Sequence, residues 1–242
     1  MRPPKVIGHR GAAALAPENT LAGIQRAAEV GVRWVEVDVR LSADGCPVLF
    51  HDSRLERTTD GRGRVGRTSF ARLRALDAGR WFSPEHAGER VPSLAEAAGL
   101  LAGLGLGADI ELKAERGRGR ELARAVVGEL RSIWPRGRTR PLLSSFAHEA
   151  LSAEREQAPD WPLGLLVRRA GPGWRRAAEA LGARVLIVEQ RFLTPRRVAR
   201  LKGAGLFVLA YTVNRPARAV ELLRWGVDSV ISDRPDSILE AL

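Results

Sequence analysis

The feature of the sequence that most constrains the fold is a repeated alternation of short apolar segments with longer, helix-like ones. Eight segments are rich in Val, Leu and Ile and lack the polar alternation of a half-exposed strand. Such segments are typical of strands buried on both faces, as in parallel sheets. In chain order they are KVIGH, RWVEVDV, ADIELK, PLLSSF, PLGLLV, RVLIVE, LFVLAYTV and DSVISD.

A helix-like segment follows each predicted strand. In chain order these segments are ENTLAGIQRAAEVG, SLAEAAGLLAGLG, RGRELARAVVGELRSI, AHEALSAEREQ, GWRRAAEALG, TPRRVARLKGAG, RPARAVELLRWG and RPDSILEAL. Several have the residues expected at helix ends, with Gly31, Gly182 and Gly226 after a last turn and Thr194 before Pro195 at a first turn. Eight strand–helix units predict an α/β fold, a closed (β/α)₈ TIM barrel, with an open doubly wound sheet as the alternative.

One stretch interrupts this alternation. Residues 52–90 contain nine arginines against six acidic residues, with several glycines and few apolar side chains. The stretch is too long for an ordinary connection between a strand and a helix. We therefore expect a small lobe at about 52–90, inserted after the second strand region of a single barrel domain that spans residues 1–242.

Cysteine content and hydropathy limit where the protein can function. Cys46 is the only cysteine, so the chain has no intrachain disulfide framework and no zinc site built from cysteines. The first residues lack the apolar segment of a secretory signal. The longest uncharged run, residues 97–108, is well short of the ~20 residues that cross a bilayer. These features predict a cytoplasmic protein without stable membrane insertion.

The net charge of +11 makes nucleic acid or an anionic membrane a conceivable partner. The arginines are distributed among Ala, Leu and Gly along the chain and do not form one block. We therefore expect no dedicated nucleic-acid interface, and a basic nucleic-acid-binding protein without catalysis remains an alternative.

Carboxylates occur at strand spacing in two of the predicted strands. Glu36 and Asp38 are two residues apart, as are Asp109, Glu111 and Lys113. Because side chains alternate along a strand, each set lies on one face. Buried charges on such a face require partners or a metal.

Two interpretations of these carboxylates remain open. A cluster of Glu36, Asp38 and Glu111 offers only oxygen ligands, which suit Mg²⁺, Ca²⁺ or Mn²⁺ and suit zinc poorly. Alternatively, Lys113 or Arg10 neutralises them in a structural ion-pair network.

Histidine is scarce, and two of the four histidines follow apolar strand-like residues directly. His9 follows VIG and His51 follows PVLF, so both are expected at strand ends, where an imidazole can act as a general acid or base. His86 and His148 have no such context and are expected to be surface or capping residues. In the first loop, helix capping is an adequate explanation for Glu18 and Asn19, and a role in holding Arg10 or His9 in place is the alternative.

A set of short motifs occurs in a specific order along nearly the whole chain. The motifs are HRG and PENT in the first loop, EVDVRLSADGCPVLFHD, LERTTDGRGRV and LDAGRWF in the insertion, VPSLAEA, IELK, SSF, YTVN and SDRP. Each alone is a weak signal, whereas their order and spacing together are specific. In these motifs the sequence resembles the glycerophosphodiester phosphodiesterase family, most closely its cytosolic bacterial members.

The resemblance implies a TIM barrel with an inserted lobe and metal-dependent hydrolysis of small-molecule glycerophosphodiesters to glycerol 3-phosphate and an alcohol. It also implies the residue roles. Glu36, Asp38 and Glu111 are the expected ligands of a divalent cation, His9 and His51 the acid–base pair, Arg10 and Lys113 the phosphate contacts, and Tyr211 an aromatic wall against the glycerol moiety.

Three positions depart from the family pattern. Tyr211 stands where tryptophan is common, Asp109 where asparagine is frequent, and Ser232 where threonine is common. The first two bear on substrate and metal preference, whereas Ser232 is expected to be harmless. A phospholipase acting on lyso- or intact phospholipids is the alternative enzyme.

Overall fold

The computed structural model describes residues 3–242, and its central feature is a closed barrel of parallel strands. The strands are β1 (Val6–Gly8), β2 (Trp34–Leu41), β3 (Pro47–Leu49), β4 (Gly107–Leu112), β5 (Leu142–Ser145), β6 (Leu163–Val167), β7 (Val185–Glu189), β8 (Phe207–Tyr211) and β9 (Ser229–Ser232). All except β3 form the barrel, and β1 closes it by pairing in parallel with both β9 and β2. The predicted TIM barrel is confirmed, and the open-sheet alternative is wrong.

A helix follows each barrel strand at the predicted place. The helices are α1 (Leu21–Glu29), α2 (Phe70–Ala75), α3 (Leu94–Gly103), α4 (Gly119–Ile133), α5 (His148–Gln157), α6 (Trp174–Leu181), α7 (Pro195–Lys202), α8 (Pro216–Arg224) and α9 (Pro235–Glu240). The predicted boundary residues are confirmed. Thr194 accepts a hydrogen bond from the backbone N–H of Arg197, and Gly31, Gly182 and Gly226 adopt positive φ. No helix among residues 3–242 has the length and apolar character needed to cross a bilayer.

Strand alternation divides the apolar side chains between two layers. In β2, Val35, Val37 and Val39 are fully buried in the outer layer between barrel and helices. The intervening residues, Glu36 and Asp38, therefore point into the barrel. A smaller apolar cluster fills the barrel below them, formed by Ile7, Leu142, Leu166, Val185, Ile187, Leu209 and Ile231.

The stretch after β2 forms a lobe on the barrel. β3 runs antiparallel to the end of β2, with Val39 opposite Leu49. The lobe contains α2 and has its own apolar cluster, which consists of Val48, Phe50, Leu55, Val65, Leu73, Ala78 and Val91. The cluster includes residues just outside 52–90, so the lobe extends slightly beyond that range at both ends.

Candidate active site

Three carboxylates meet at the carboxyl end of the barrel. The register of β2 and β4 pairs Glu36 with Asp109 and Asp38 with Glu111, so the acidic residues lie side by side. Oxygen atoms of Glu36, Asp38 and Glu111 all lie within 4.8 Å of one another, and all three residues are buried. The structure therefore brings together the three residues expected as metal ligands.

Two cations border this cluster. The Lys113 Nζ donates to Glu111 Oε1 at 2.8 Å and lies 3.3 Å from Asp38 Oδ1. The Arg10 Nε lies 3.2 Å from Asp38 Oδ2, and the backbone N–H of Arg10 donates to Glu36 Oε2 at 3.0 Å. Ion pairs of the kind expected for a structural network are therefore present within the carboxylate cluster.

These cations do not offset the effect of burial on Glu36. Burial, together with the negative charges of Asp38 and Glu111, raises the pKa of Glu36 well above its ordinary value. Burial also acts to raise the pKa of Asp38, but Lys113 and Arg10 outweigh it and lower that pKa. The Glu36 Oε1 atom is buried without a hydrogen-bond partner. A buried, unpartnered oxygen beside two other carboxylates fits a hard divalent cation.

His9 lies at the end of β1 and is held by a carboxylate from the other end of the chain. Its Nδ1 is 2.5 Å from Asp233 Oδ1, and its Nε2 is 3.8 Å from Glu36 Oε2. Asp233 in turn accepts a hydrogen bond from Asn214 Nδ2 at 2.6 Å. The contact with Asp233 fixes the ring and directs the Nε2 atom toward the carboxylate cluster.

His51 is held in a similar way by its own neighbour in the sequence. The Nδ1 of His51 is 2.6 Å from Asp52 Oδ1, while Arg57 Nε donates to the other oxygen of Asp52 at 2.6 Å. Burial lowers the pKa of His51, and the negative charge of Asp38 opposes this effect. His51 thus lies close enough to the cluster for Asp38 to influence its titration.

Glu18 and Asn19 of the first loop contact charged residues of the site. Asn19 donates to Asp38 Oδ2 at 2.8 Å and accepts from the backbone N–H of Asp38, while Thr20 caps α1. Glu18 accepts hydrogen bonds from both Arg10 and Arg57. Helix capping is therefore the wrong explanation for Glu18 and Asn19, whereas the alternative, a residue that holds Arg10 in place, fits Glu18.

The sequence contains weak signals for the carboxylates that hold the histidines. Asp52 directly follows His51 in FHD, and Asp233 lies in the SDRP motif just after the last strand. No local sequence pattern predicts the contact between Asp233 and His9, because 224 positions separate the two residues.

Tyr211 lies on the opposite rim of the barrel mouth. It ends β8 opposite Glu189 of β7, and its ring meets that of Phe146 edge to face at 6.2 Å. Burial, reinforced by the negative charges of Glu189 and Glu111, raises the pKa of the Tyr211 hydroxyl. The expected aromatic residue is therefore at the mouth and carries a neutral hydroxyl at neutral pH.

The other two departures from the family pattern are Asp109 and Ser232. Asp109 is fully buried and accepts a hydrogen bond from Ser144 at 2.6 Å. Burial raises its pKa to about 8, so this residue is largely protonated at neutral pH and adds little charge beneath the cluster. The hydroxyl of Ser232 bonds to Asn214 Oδ1 at 3.2 Å.

Comparison with known proteins gives consistent results along the chain. The profile of the Glycerophosphoryl diester phosphodiesterase family matches residues 9–237. A glycerophosphodiester phosphodiesterase of Caldanaerobacter subterraneus subsp. tengcongensis is 31% identical over 234 residues, which cover 97% of this chain and 96% of that protein. A putative glycerophosphodiester phosphodiesterase of Bacillus subtilis is 33% identical over 239 residues, with 97% and 96% covered.

A solved structure is similar over nearly the same span. It is that of an Oleispira antarctica phosphodiesterase in complex with the product sn-glycerol-3-phosphate, with a TM-score of 0.96 and 40% sequence identity. The match covers 98% of this chain and 96% of that chain. Every residue of the site described above falls within residues 9–237, the span of the family profile.

Proposed function

The chain belongs to the glycerophosphoryl diester phosphodiesterase family, and from this premise we propose that it hydrolyses glycerophosphodiesters to glycerol 3-phosphate and an alcohol. The observation that carries the proposal is the arrangement at the barrel mouth. Three buried carboxylates lie within 4.8 Å of one another, with His9 beside them and His51 close enough to respond to Asp38.

Glu36, Asp38 and Glu111 would hold the divalent cation. The unpartnered Glu36 Oε1 and the all-oxygen donor set support Mg²⁺, Ca²⁺ or Mn²⁺ in this position. Such a cation would supply Lewis-acid chemistry to a bound phosphate group.

Arg10 and Lys113 bind the phosphate in this proposal. A phosphodiester is an anion that repels its nucleophile, and fixed positive charge lowers this barrier as negative charge develops. Both cations contact the carboxylates that would hold the metal, so they already lie at the edge of the cluster. Tyr211 and Phe146 form the aromatic rim against which the glycerol moiety packs.

His9 and His51 move the protons. One histidine takes a proton from the attacking water, or from the glycerol 2-hydroxyl if a cyclic phosphodiester forms first and water then opens it, and the other gives a proton to the oxygen of the departing alcohol as its bond to phosphorus breaks. The Nδ1 atom of each ring is occupied by a carboxylate, that of Asp233 or Asp52, which leaves Nε2 for proton transfer. This mechanism requires both rings at the barrel mouth. His9 follows the end of β1, and His51 follows the end of β3.

The proposal is tested by the release of glycerol 3-phosphate from a panel of water-soluble glycerophosphodiesters, with a micellar lysophospholipid as comparison. We expect His9→Ala and His51→Ala each to lower turnover at least ~10²-fold, the lower bound of general acid–base catalysis. His148→Ala is the matched control, because His148 is exposed at the start of α5 and contacts none of the three carboxylates through a hydrogen bond or ion pair.

Chelation of divalent ions should abolish activity, and addition of Mg²⁺, Ca²⁺ or Mn²⁺ should restore it. Turnover near the wild-type rate in either histidine variant would refute the proposed role of that residue. Activity that survives exhaustive chelation would refute the metal site, and faster turnover of the lysophospholipid would favour a phospholipase.

A further inference from the structure

The positive charge of the protein is concentrated in one part of the barrel. Residues 168–202 contain ten arginine or lysine residues but only two glutamates, a net charge of +8 out of +11 for the whole chain. The other 207 residues together carry +3. Arginines are distributed throughout the chain, but the acidic residues that balance them elsewhere are scarce in this segment.

Five of these residues form a continuous surface, which we call the arginine patch. It consists of Arg169, Arg175, Arg196, Arg197 and Arg200, which line two adjoining open grooves of about 330 and 540 Å³. Arg169 lies in the loop after the carboxyl end of β6, Arg175 in the first turn of α6, and the other three in the first two turns of α7. The patch therefore lies at the carboxyl end of the barrel, on the same end as the candidate active site.

Little negative charge opposes the patch. Arg197 and Arg200 donate to backbone carbonyl oxygens, which orients their guanidinium groups without neutralising them. Within the patch, only Arg175 has a carboxylate partner, at 3.0 Å on the same helix. Arg169 and Arg196 are exposed and form no ion pair with any residue in the range 3–242. At least four positive charges are thus available to an external anion.

We propose that the arginine patch docks the catalytic end of the barrel onto an anionic phospholipid surface. The guanidinium groups are spread over two open grooves instead of converging in one closed pocket, which suits many phosphates in a plane better than a single ligand. Attraction of this kind is reversible and weakens with salt.

Two exposed aromatic side chains that follow the carboxyl ends of barrel strands, one in the lobe after β2 and one after β5, support this choice of partner. Trp81 of the lobe is 40% exposed, and Phe146 beside Tyr211 is 44% exposed. Aromatic rings are favoured where apolar and wet surroundings meet, as at a bilayer surface. Together, the patch and these rings give the catalytic end the composition of a peripheral membrane-binding surface.

Docking would place the barrel mouth where its substrate arises. A glycerophosphodiester is the fragment left when both acyl esters of a glycerophospholipid are hydrolysed, so a deacylation at a lipid surface must supply it. The docking proposal itself stands on charge and exposure and does not depend on the proposed function.

The test measures binding of the full chain to phosphatidylcholine vesicles with or without about 30% phosphatidylserine. Wild-type protein should sediment with the anionic vesicles at about 0.1 M NaCl and dissociate at about 0.5 M. Each arginine near such a surface contributes roughly fivefold to binding, so Arg169→Glu/Arg196→Glu should weaken it at least about 25-fold. Arg169→Gln/Arg196→Gln, which removes charge without reversing it, should weaken binding less.

The matched control is Arg33→Glu/Arg136→Glu, an equal charge change on exposed residues at the opposite end of the barrel. It should bind as the wild type does. Equal weakening in both double variants, or equal binding to neutral and anionic vesicles, would overturn the proposal. So would a single-stranded oligonucleotide that binds the patch more tightly than the vesicles do. Turnover of a soluble diester, measured in parallel, reports separately on the proposed function.

Discussion

The two histidines at the barrel mouth are positioned by the same kind of contact. In each, Nδ1 meets a carboxylate oxygen, at 2.5 Å in His9 and at 2.6 Å in His51. The carboxylates differ in origin, because Asp52 is adjacent in sequence and Asp233 comes from the loop after the last strand. Asp233 is therefore a positioning residue that acts through His9.

We expect Asp233→Asn to lower kcat/KM for a glycerophosphodiester about 10- to 100-fold, because a hydrogen bond to a charged group is worth about 1.5–3 kcal/mol. The measurement is a double-mutant cycle with His9→Ala, in which Asp233→Asn should have almost no further effect. Asp236→Asn, which removes a carboxylate paired only with Arg234, is the control. Additive losses in the cycle would mean that Asp233 does not act through His9.

Helix α5 carries a buried acidic residue that serves no role in the proposed mechanism. Glu154 is fully buried, and neither of its carboxylate oxygens has a hydrogen-bond partner. Burial raises the pKa of Glu154 well above its usual 4.5, and Asp109 adds to this effect once it ionises. Ionisation of Glu154 in the folded protein therefore costs free energy, and this cost lowers the stability with which α5 packs against the barrel.

The pH dependence of this cost follows from proton linkage. The folded protein binds the Glu154 proton more tightly than the unfolded chain does, so its stability falls as pH rises above the unfolded value of 4.5. Relative to wild type, Glu154→Gln should gain up to about 1.4 kcal/mol of unfolding free energy per pH unit, until the folded pKa is reached. Near pH 4 the pH-dependent part of this difference should disappear.

Urea denaturation between pH 4 and pH 9 measures this difference. Glu149→Gln on the same helix is the control, because Glu149 is exposed. It should leave the pH dependence of the unfolding free energy unchanged. If Glu154→Gln raises the unfolding free energy by the same amount at every pH, the side chain affects stability only through packing.

For the molecule as a whole, the candidate metal site couples folding to cation binding. The cluster joins β2 and β4 and contacts the first loop through Arg10. A cation that binds only the folded state stabilises it by about 2.7 kcal/mol at a hundredfold excess over Kd. Stability should therefore depend on divalent-ion concentration even without substrate.

We expect Mg²⁺, Ca²⁺ or Mn²⁺ to raise the Tm of the wild-type protein in differential scanning calorimetry. Glu36→Gln/Asp38→Asn should abolish this rise. Asp160→Asn/Glu240→Gln, which neutralises two exposed carboxylates, should retain it. A Tm that no divalent ion changes would favour the purely structural ion-pair network.

The order of strands and helices, the barrel and the placement of Glu36, Asp38 and Glu111 on inward faces could all be predicted from the sequence. Strand and helix periodicities are local, so each segment contains its own signal. His9 and His51 were expected at strand ends because apolar residues precede them, whereas Tyr211 was expected at the site only through the family resemblance.

Only the tertiary structure decided the partners of these residues. Asp233 meets His9 because closure of the barrel pairs β9 with β1, and Arg57 reaches Glu18 because the lobe folds back over the first loop. The five arginines of the patch become one surface only when the loop after β6 and the start of α6 lie beside α7. Such contacts join residues far apart in sequence, and their geometry depends on how the whole barrel closes.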